Sequence, residues 1–508
     1  MHLIRLLLFV IAGYAINGQL CAAQSSSSSM RQHYDAAYRY QTSGNYARAD
    51  VEHALFVTET LGRLANFYAN TGDYLHAAPV YEEALKLDPA RFSLLMDYAG
   101  AAVDAHDAKK AKSLLQSVME LDQAKVTVRQ KADVHLMLGR ACRALGDKDA
   151  AIEQFRASIS IDPNIDNYTA LAGMVLEKDG HDRATTIFTE IIERFGNSTP
   201  VHMRIGRVYA LSAFPDRAIV EFKKAIALDY KYPGVHYSLG AAYMSNLASD
   251  LPLAEAEFHK ELSLHPDDTL CDPQLGYIAL RRLNFPQAEV YFKRAIVSNP
   301  LNAAVFADLG KLYADTKRPL EAEAALRKAI ALTVDPSQNE YGIERVHYQL
   351  GRLLLARGQN VEGERELQIA QELLTERDLR EETKLIGKAI VHSPLERTRV
   401  VMPKDVKELD LFAKQVRPLV AGSYNNMGVH KAMAGKYAEA AVYFLLAEKW
   451  DPSLAGVDRN WGRAAYAAQD CTQAIGPLSR VVLANPSDTE LSNMLKQCRS
   501  LAPYASQR

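Results

Sequence analysis

Between Tyr424 and Pro452 the apolar residues fall in two bursts of helical spacing. Tyr424, Met427 and Gly428 mark the first, and Tyr437, Ala440, Phe444 and Ala447 mark the second. Gly435 separates them, and Asp451-Pro452 stops the second, because the residue before a proline is pushed out of the helical region. The pattern predicts two short amphipathic helices joined by a tight turn. The same spacing returns along the chain: Ala440 and Ala474 lie 34 residues apart, as do Ala254, Ala288 and Ala322. Gly or Ala where two helices cross lets their backbones approach, and Tyr or Phe a turn or two away fills the gap to the next pair. One such hairpin cannot bury its apolar face alone, so the chain is expected to form one long stack of them.

The repeats can be followed from end to end. A partial first unit carries Tyr40, Gly44, Tyr46 and Ala49, with only 28 residues from Ala49 to the next anchor, Ala77. Regular units follow at Gly139, Gly206, Gly240, Gly276, Gly310 and Gly351, with Phe155, Phe222, Phe258 and Phe292 in their second helices. Residues 372–418 break the period. They hold 9 acidic and 10 basic residues among 47, well above the 24% charged overall, and read as a charged helical excursion. Within it Val406, Leu409, Phe412 and Val416 keep helical spacing. Two more units, at Gly428 and Gly462, precede a capping helix with Leu491, Met494, Leu495 and Cys498.

A period of 34 with Gly, Tyr, Ala, Phe and Pro at these offsets resembles the tetratricopeptide repeat family. The resemblance implies an all-α fold, a right-handed superhelical solenoid of about twelve helix-turn-helix repeats. It also implies a protein that presents surfaces to partners and carries no chemistry of its own. The resulting division is a signal peptide at 1–23, a Ser-rich tether at 24–30, an N-terminal array at 31–371 and the charged insertion at 372–418. A C-terminal repeat pair at 419–487 and a capping helix and tail at 488–508 complete it.

The leader rests on the apolar run Leu6–Ile16, too short to cross a bilayer but suited to a secretory signal, followed by Cys21-Ala22-Ala23. Cleavage is expected before Gln24, giving an exported protein, periplasmic or secreted, with no stable membrane span. A lipid anchor at Cys21 is disfavoured by Leu20, where such sites want a small residue. A net charge of −2 gives no general attraction to nucleic acid. Of the remaining cysteines, Cys471 and Cys498 fall near one edge of the last repeat, where either a bridge or two separate buried thiols fits; Cys142 and Cys271 are expected to stay free.

Local signatures of catalysis are missing: there is no His-Glu-x-x-His, Gly-x-Ser-x-Gly, phosphate loop or Cys-x-x-Cys. No enzyme activity, cofactor or metal site is therefore expected. His135, His202, His236 and His347 sit early in first helices and read as packing or groove residues. Asn167-Tyr168-Thr169 and Asn197-Ser198-Thr199 match glycosylation acceptors.

The resemblance further implies that first helices line an inner groove and that the residue after each glycine points into it. Those places hold Arg140, Arg207, Lys311, Arg352 and Arg463, with Arg143, Arg345 and Arg459 a turn away. Asn425-Asn426 resembles part of the family's clamp for peptide termini, though the full clamp is not reproduced. A row of guanidinium groups favours an acidic or C-terminal-carboxylate ligand. Opposing this, Asp104, Glu177 and Asp315 hold comparable places, and the arginines could simply pair with such neighbours. The reading is a scaffold or adaptor of the bacterial cell envelope that holds a protein or peptide in its groove. The alternative is an accessory subunit that captures substrate for an envelope enzyme system, such as a glycosyltransferase, peptidase or polysaccharide exporter.

Overall fold

The computed structural model describes residues 26–122, 126–246, 250–333, 341–383 and 401–505. The expected leader at 1–23 lies outside them. Every regular element among the described residues is an α-helix. In chain order these begin with α1 (Ser26–Thr42), α2 (Tyr46–Asn70), α3 (Tyr74–Leu87), α4 (Phe92–Asp104), α5 (Ala108–Met119) and α6 (Val128–Ala144). Next come α7 (Lys148–Ile161), α8 (Ile165–Asp179), α9 (His181–Phe195), α10 (Thr199–Leu211), α11 (Pro215–Leu228) and α12 (Val235–Asn246). They continue with α13 (Leu251–Leu264), α14 (Cys271–Arg281), α15 (Phe285–Ser298), α16 (Ala303–Asp315), α17 (Pro319–Leu332) and α18 (Ile343–Ala356). The last are α19 (Asn360–Thr383), α20 (Pro403–Met433), α21 (Tyr437–Trp450), α22 (Val457–Ala467), α23 (Cys471–Ala484) and α24 (Thr489–Ala505). None is long and apolar enough to cross a membrane.

The helices pair as hairpins because a left-handed residue reverses the chain between them. Gly146, Gly358 and Gly435 supply that conformation without a Cβ clash, at φ of 81°, 79° and 77°. Other turns force it on His106, Ala213, Leu283, Lys317 and Gln469. In most of these hairpins a glycine of the first helix faces a phenylalanine or leucine of the second, as Gly240 faces Phe258 and Gly310 faces Leu326. A Cβ on Gly139, Gly206 or Gly276 would stand 2.4, 2.6 or 2.5 Å from the ring of Phe155, Phe222 or Phe292. The helices are thus as close as two backbones and a ring allow, as the small-and-large alternation requires.

The chain divides into two compact units. The larger takes in Tyr68–Leu75 and Leu95–Val406. Its hairpins from α6 and α7 to α16 and α17 stack on one continuous core that runs from Cys142 to Ala325, with Leu326, Leu350 and Leu354 in a second cluster and Ala102, Ala111 and Ala141 in a third. The smaller unit gathers the described residues within Met1–Phe67, His76–Leu94 and Lys407–Arg508. It is discontinuous: the first helices of the chain share a fold with the last ones. Tyr424 donates its hydroxyl to Glu83 across 341 residues of sequence, and His430 meets Asp50 across 380.

Three boundaries read from the sequence differ. The serine stretch assigned to a tether is already helical from Ser26, and Ser29 donates to Glu59 of α2 at 3.0 Å, a partner no local pattern reveals. The array does not stop at residue 371, because α19 continues to Thr383. The insertion does not end at 418 either: α20 runs through that point despite Pro418. Leu409, Phe412, Val416, Val420 and Tyr424 form one buried stripe along it, while Pro418 is exposed, so burial holds the helix where proline removes a donor. At the C-terminal end Cys471 and Cys498 are disulfide-bonded, joining α23 to α24, and Cys142 and Cys271 are free and buried.

Candidate functional site

First helices of successive hairpins in the larger unit border a concavity of about 890 Å³. Arg140 and Arg143 reach it from α6, Arg204 and Arg207 from α10, and Asp166 from the first turn of α8. Met203, Val208 and Leu211 add an apolar strip, and Tyr232 and Tyr237 close one side. The placement follows from helix geometry: Arg140 and Arg207 each follow a glycine pressed against a second-helix ring, so the next side chain must turn outward.

The four arginines are not equivalent. Arg143 is paired with Glu177, Nε to Oε2 at 3.2 Å, and Arg204 with Asp166. Arg140 and Arg207 are exposed and, among the described residues, hold no ion pair. Arg140 acts at a distance on Asp104, whose carboxyl is raised by burial and pulled back by that guanidinium. The concavity therefore offers two uncommitted cations beside an apolar strip, a set of groups able to bind a carboxylate through two-pronged hydrogen bonds.

The remaining candidates do not join that surface. Lys311 is spent on Asp315 at 2.7 Å, one turn along α16, as a charged i,i+4 pair. Arg345 donates to the Tyr341 carbonyl at 3.3 Å, and exposed Arg352 lies over the Tyr348 ring, 5.9 Å from its centroid. Asn425, Arg459 and Arg463 belong to the smaller unit. Arg463 is 6% exposed and paired with Glu490 of α24 at 2.7 Å, and Arg459 is paired with Asp488. Asn425 is fully buried and accepts from Asn460 at 3.1 Å. Asn425 and Arg463 are corrected from groove residues to internal contacts, because the next repeat and the capping helix cover them, while Arg459 stays half-buried with its charge held by Asp488.

The histidines have partners that the sequence reading did not find. His202, His236 and His347 each place Nδ1 2.6 Å from a carboxylate of the following helix, Glu221, Glu257 and Glu366. His33 does the same with Glu52, and His135 meets Gln154 at 2.8 Å. The separation is 19 residues in four of the five and 21 at His236, whose hairpin has two extra turn residues. A search for His and Glu at that offset would have exposed the series. Glu261 accepts from the backbone N–H of Gly234, His236 and Tyr237, closing the start of α12. Among the described residues no three His, Cys, Asp or Glu gather as metal ligands. Of the two glycosylation triplets, Asn167 is buried and its amide donates to the Asp162 carbonyl, so it is closed to modification. Asn197 is exposed and accepts from His202 at 2.6 Å.

Comparison with known proteins adds a family signal. One tetratricopeptide repeat model matches residues 58–91 and 132–165, and a second matches 274–336. A tetratricopeptide repeat protein from Parabacteroides merdae is 15% identical over 51% of this chain and 98% of its own, with a TM-score of 0.35. A MamA RS-1 double mutant is 21% identical over 36% of this chain and 98% of its own, at 0.32. The pilF structure from Pseudomonas aeruginosa is 18% identical over 41% and 94%, at 0.30.

Proposed function

The chain is a tetratricopeptide repeat protein, and from that premise we propose that it is a scaffold which captures a protein or peptide partner by a carboxylate. Repeats of this kind imply protein–protein interaction. The observation that carries the finer reading is the pair Arg140 and Arg207, which border one concavity with no acid bound to either, while Arg143 and Arg204 beside them are neutralised. Their ligand is an acidic segment or a C-terminal carboxylate, with an apolar side chain against Met203, Val208 and Leu211. No chemistry is assigned to the chain.

We place the protein in an exported compartment, the periplasm or the exterior of a bacterial cell. The leader pattern at 1–23 supports this, as does the Cys471–Cys498 bridge, since disulfides persist where the surroundings are oxidising. N-terminal sequencing of protein recovered from the periplasm or medium should begin at Gln24.

The test of binding uses the full chain and an array of acidic peptides, each with a free and an amidated C-terminus. The native protein should retain a subset at low salt, more strongly with the free carboxylate. Arg140→Glu with Arg207→Glu should abolish retention and leave the helical melting curve unchanged, because both side chains are exposed. Undiminished binding by the double variant would sink the proposal.

A further inference from the structure

In the smaller unit α2 and α20 lie side by side in opposite directions. At one end Phe67 meets Phe412 with ring centroids 5.1 Å apart, and Arg63 lies 5.0 Å from the Phe412 centroid. At the other end His430 is 2.6 Å from Asp50, stacks on Tyr46 at 4.7 Å and faces His53 at 6.4 Å. At 3.6 residues per turn Phe412, Ser423 and His430 fall on one face of α20, and Tyr46, His53, Thr60 and Phe67 repeat every seven residues along α2. Beside this seam Glu83 of α3 is buried. It accepts from Tyr424 at 3.0 Å and from Trp450 Nε1 and Lys449 Nζ at 2.6 Å each.

A seam of this composition is held differently from the apolar stack of the larger unit. From Ser423 to the His430 end it is polar and incompletely satisfied. His53 Nδ1, Ser423 Oγ and His430 Nε2 are buried with no hydrogen-bond partner. Each such atom forfeits hydration on closure without gaining a bond. We propose that this seam is an acid-released clasp between the two ends of the chain, with His53 as the group whose protonation opens it.

The geometry around His53 gives the direction. Its Nε2 lies 3.4 Å from Gln41 Oε1 of α1, and its Nδ1 meets no acceptor. From α20 it faces His430, whose Nδ1 already holds Asp50 of α2, and Tyr46 covers the His430 ring. From α21, Tyr443 interacts electrostatically with Asp50, Lys431 and Glu439 rather than with His53. A charged imidazolium would thus be sealed from water with one ring N–H unpaired and a second imidazole in front of it. Burial first, and His430 second, hold the His53 pKa down at about 3 in the closed seam. Released into water the ring returns to about 6.5. A depressed histidine pKa stabilises closure fully above about pH 6.5, and that contribution is lost as pH falls toward 3. Between about pH 7.5 and about pH 5 the ratio of closed to open forms should fall about 30-fold.

Spin labels on the full chain at Val51 and Met433, both exposed and near the His430 end of the seam, read this directly by pulsed dipolar spectroscopy. The native distance distribution should be short and single at about pH 7.5. It should gain a longer population at about pH 5 while the far-ultraviolet helical signal stays constant. His53→Gln should keep the short distance at both values, and Glu83→Gln should shift release to higher pH. Should His53→Gln be open throughout, His53→Phe fills the same space without a titratable nitrogen and takes its place. The clasp is refuted if the native distances ignore pH, or if the chain without His53 opens in acid as the native one does.

Discussion

At the scale of single residues, the first-helix glycines that face a second-helix ring are steric requirements. Gly206 has Phe222 Cε1 at 2.6 Å from where a Cβ would sit, and Phe222 is fully buried, so its ring has nowhere to retreat. Gly206→Ala should lower stability by about 1–3 kcal/mol by overpacking, even though alanine inside a helix normally gains about 1 kcal/mol over glycine. Thermal melting checks the sign. The opposite sign is expected at Leu283, which is 70% exposed and held at φ 57° in the turn between α14 and α15. Leu283→Gly relieves the left-handed strain and should raise stability by up to about 1 kcal/mol, net of the entropy glycine adds to the unfolded chain. Calorimetry on both variants separates the two kinds of position.

At the scale of elements, two long helices explain the irregular spacing. The 28 residues between Ala49 and Ala77 arise because α2 serves as second helix to α1 and as first helix to α3 without a break. The same fusion joins the Leu409–Val416 stripe to the repeat at Gly428 within α20. The terminal α24 is fixed in another way, by Leu491 and Leu495 in the core and by the bridge from Cys498 to Cys471, which closes 27 residues. Removing it in the double variant Cys471→Ser with Cys498→Ser should cost about 2–4 kcal/mol, through greater freedom of the unfolded chain. Hydrogen exchange should show the loss in α23 and α24 and leave α10 to α15 unchanged.

At the scale of the whole molecule, the sequence by itself determined the class of element, the period and the glycine-to-ring contacts inside the hairpins. Gly206 and Phe222, or Gly428 and Phe444, are 16 residues apart, and a contact at that range follows from helix geometry. Arg140, Arg143 and Arg207 border one concavity because each stands at or one turn from a glycine that fixes its outward direction. Which arginine there holds an acid was not legible, because that depends on whether a neighbouring hairpin brings a carboxylate to it, as Glu177 reaches Arg143 and Asp166 reaches Arg204. The burial of Asn425 and Arg463, the clustering of His53 with His430 and the seat of Glu83 among Tyr424, Lys449 and Trp450 were decided by tertiary structure alone. A repeat pattern specifies how each unit meets its neighbours in sequence. It carries no term for two ends more than 300 residues apart, whose meeting depends on the complementarity of surfaces that only the folded chain presents.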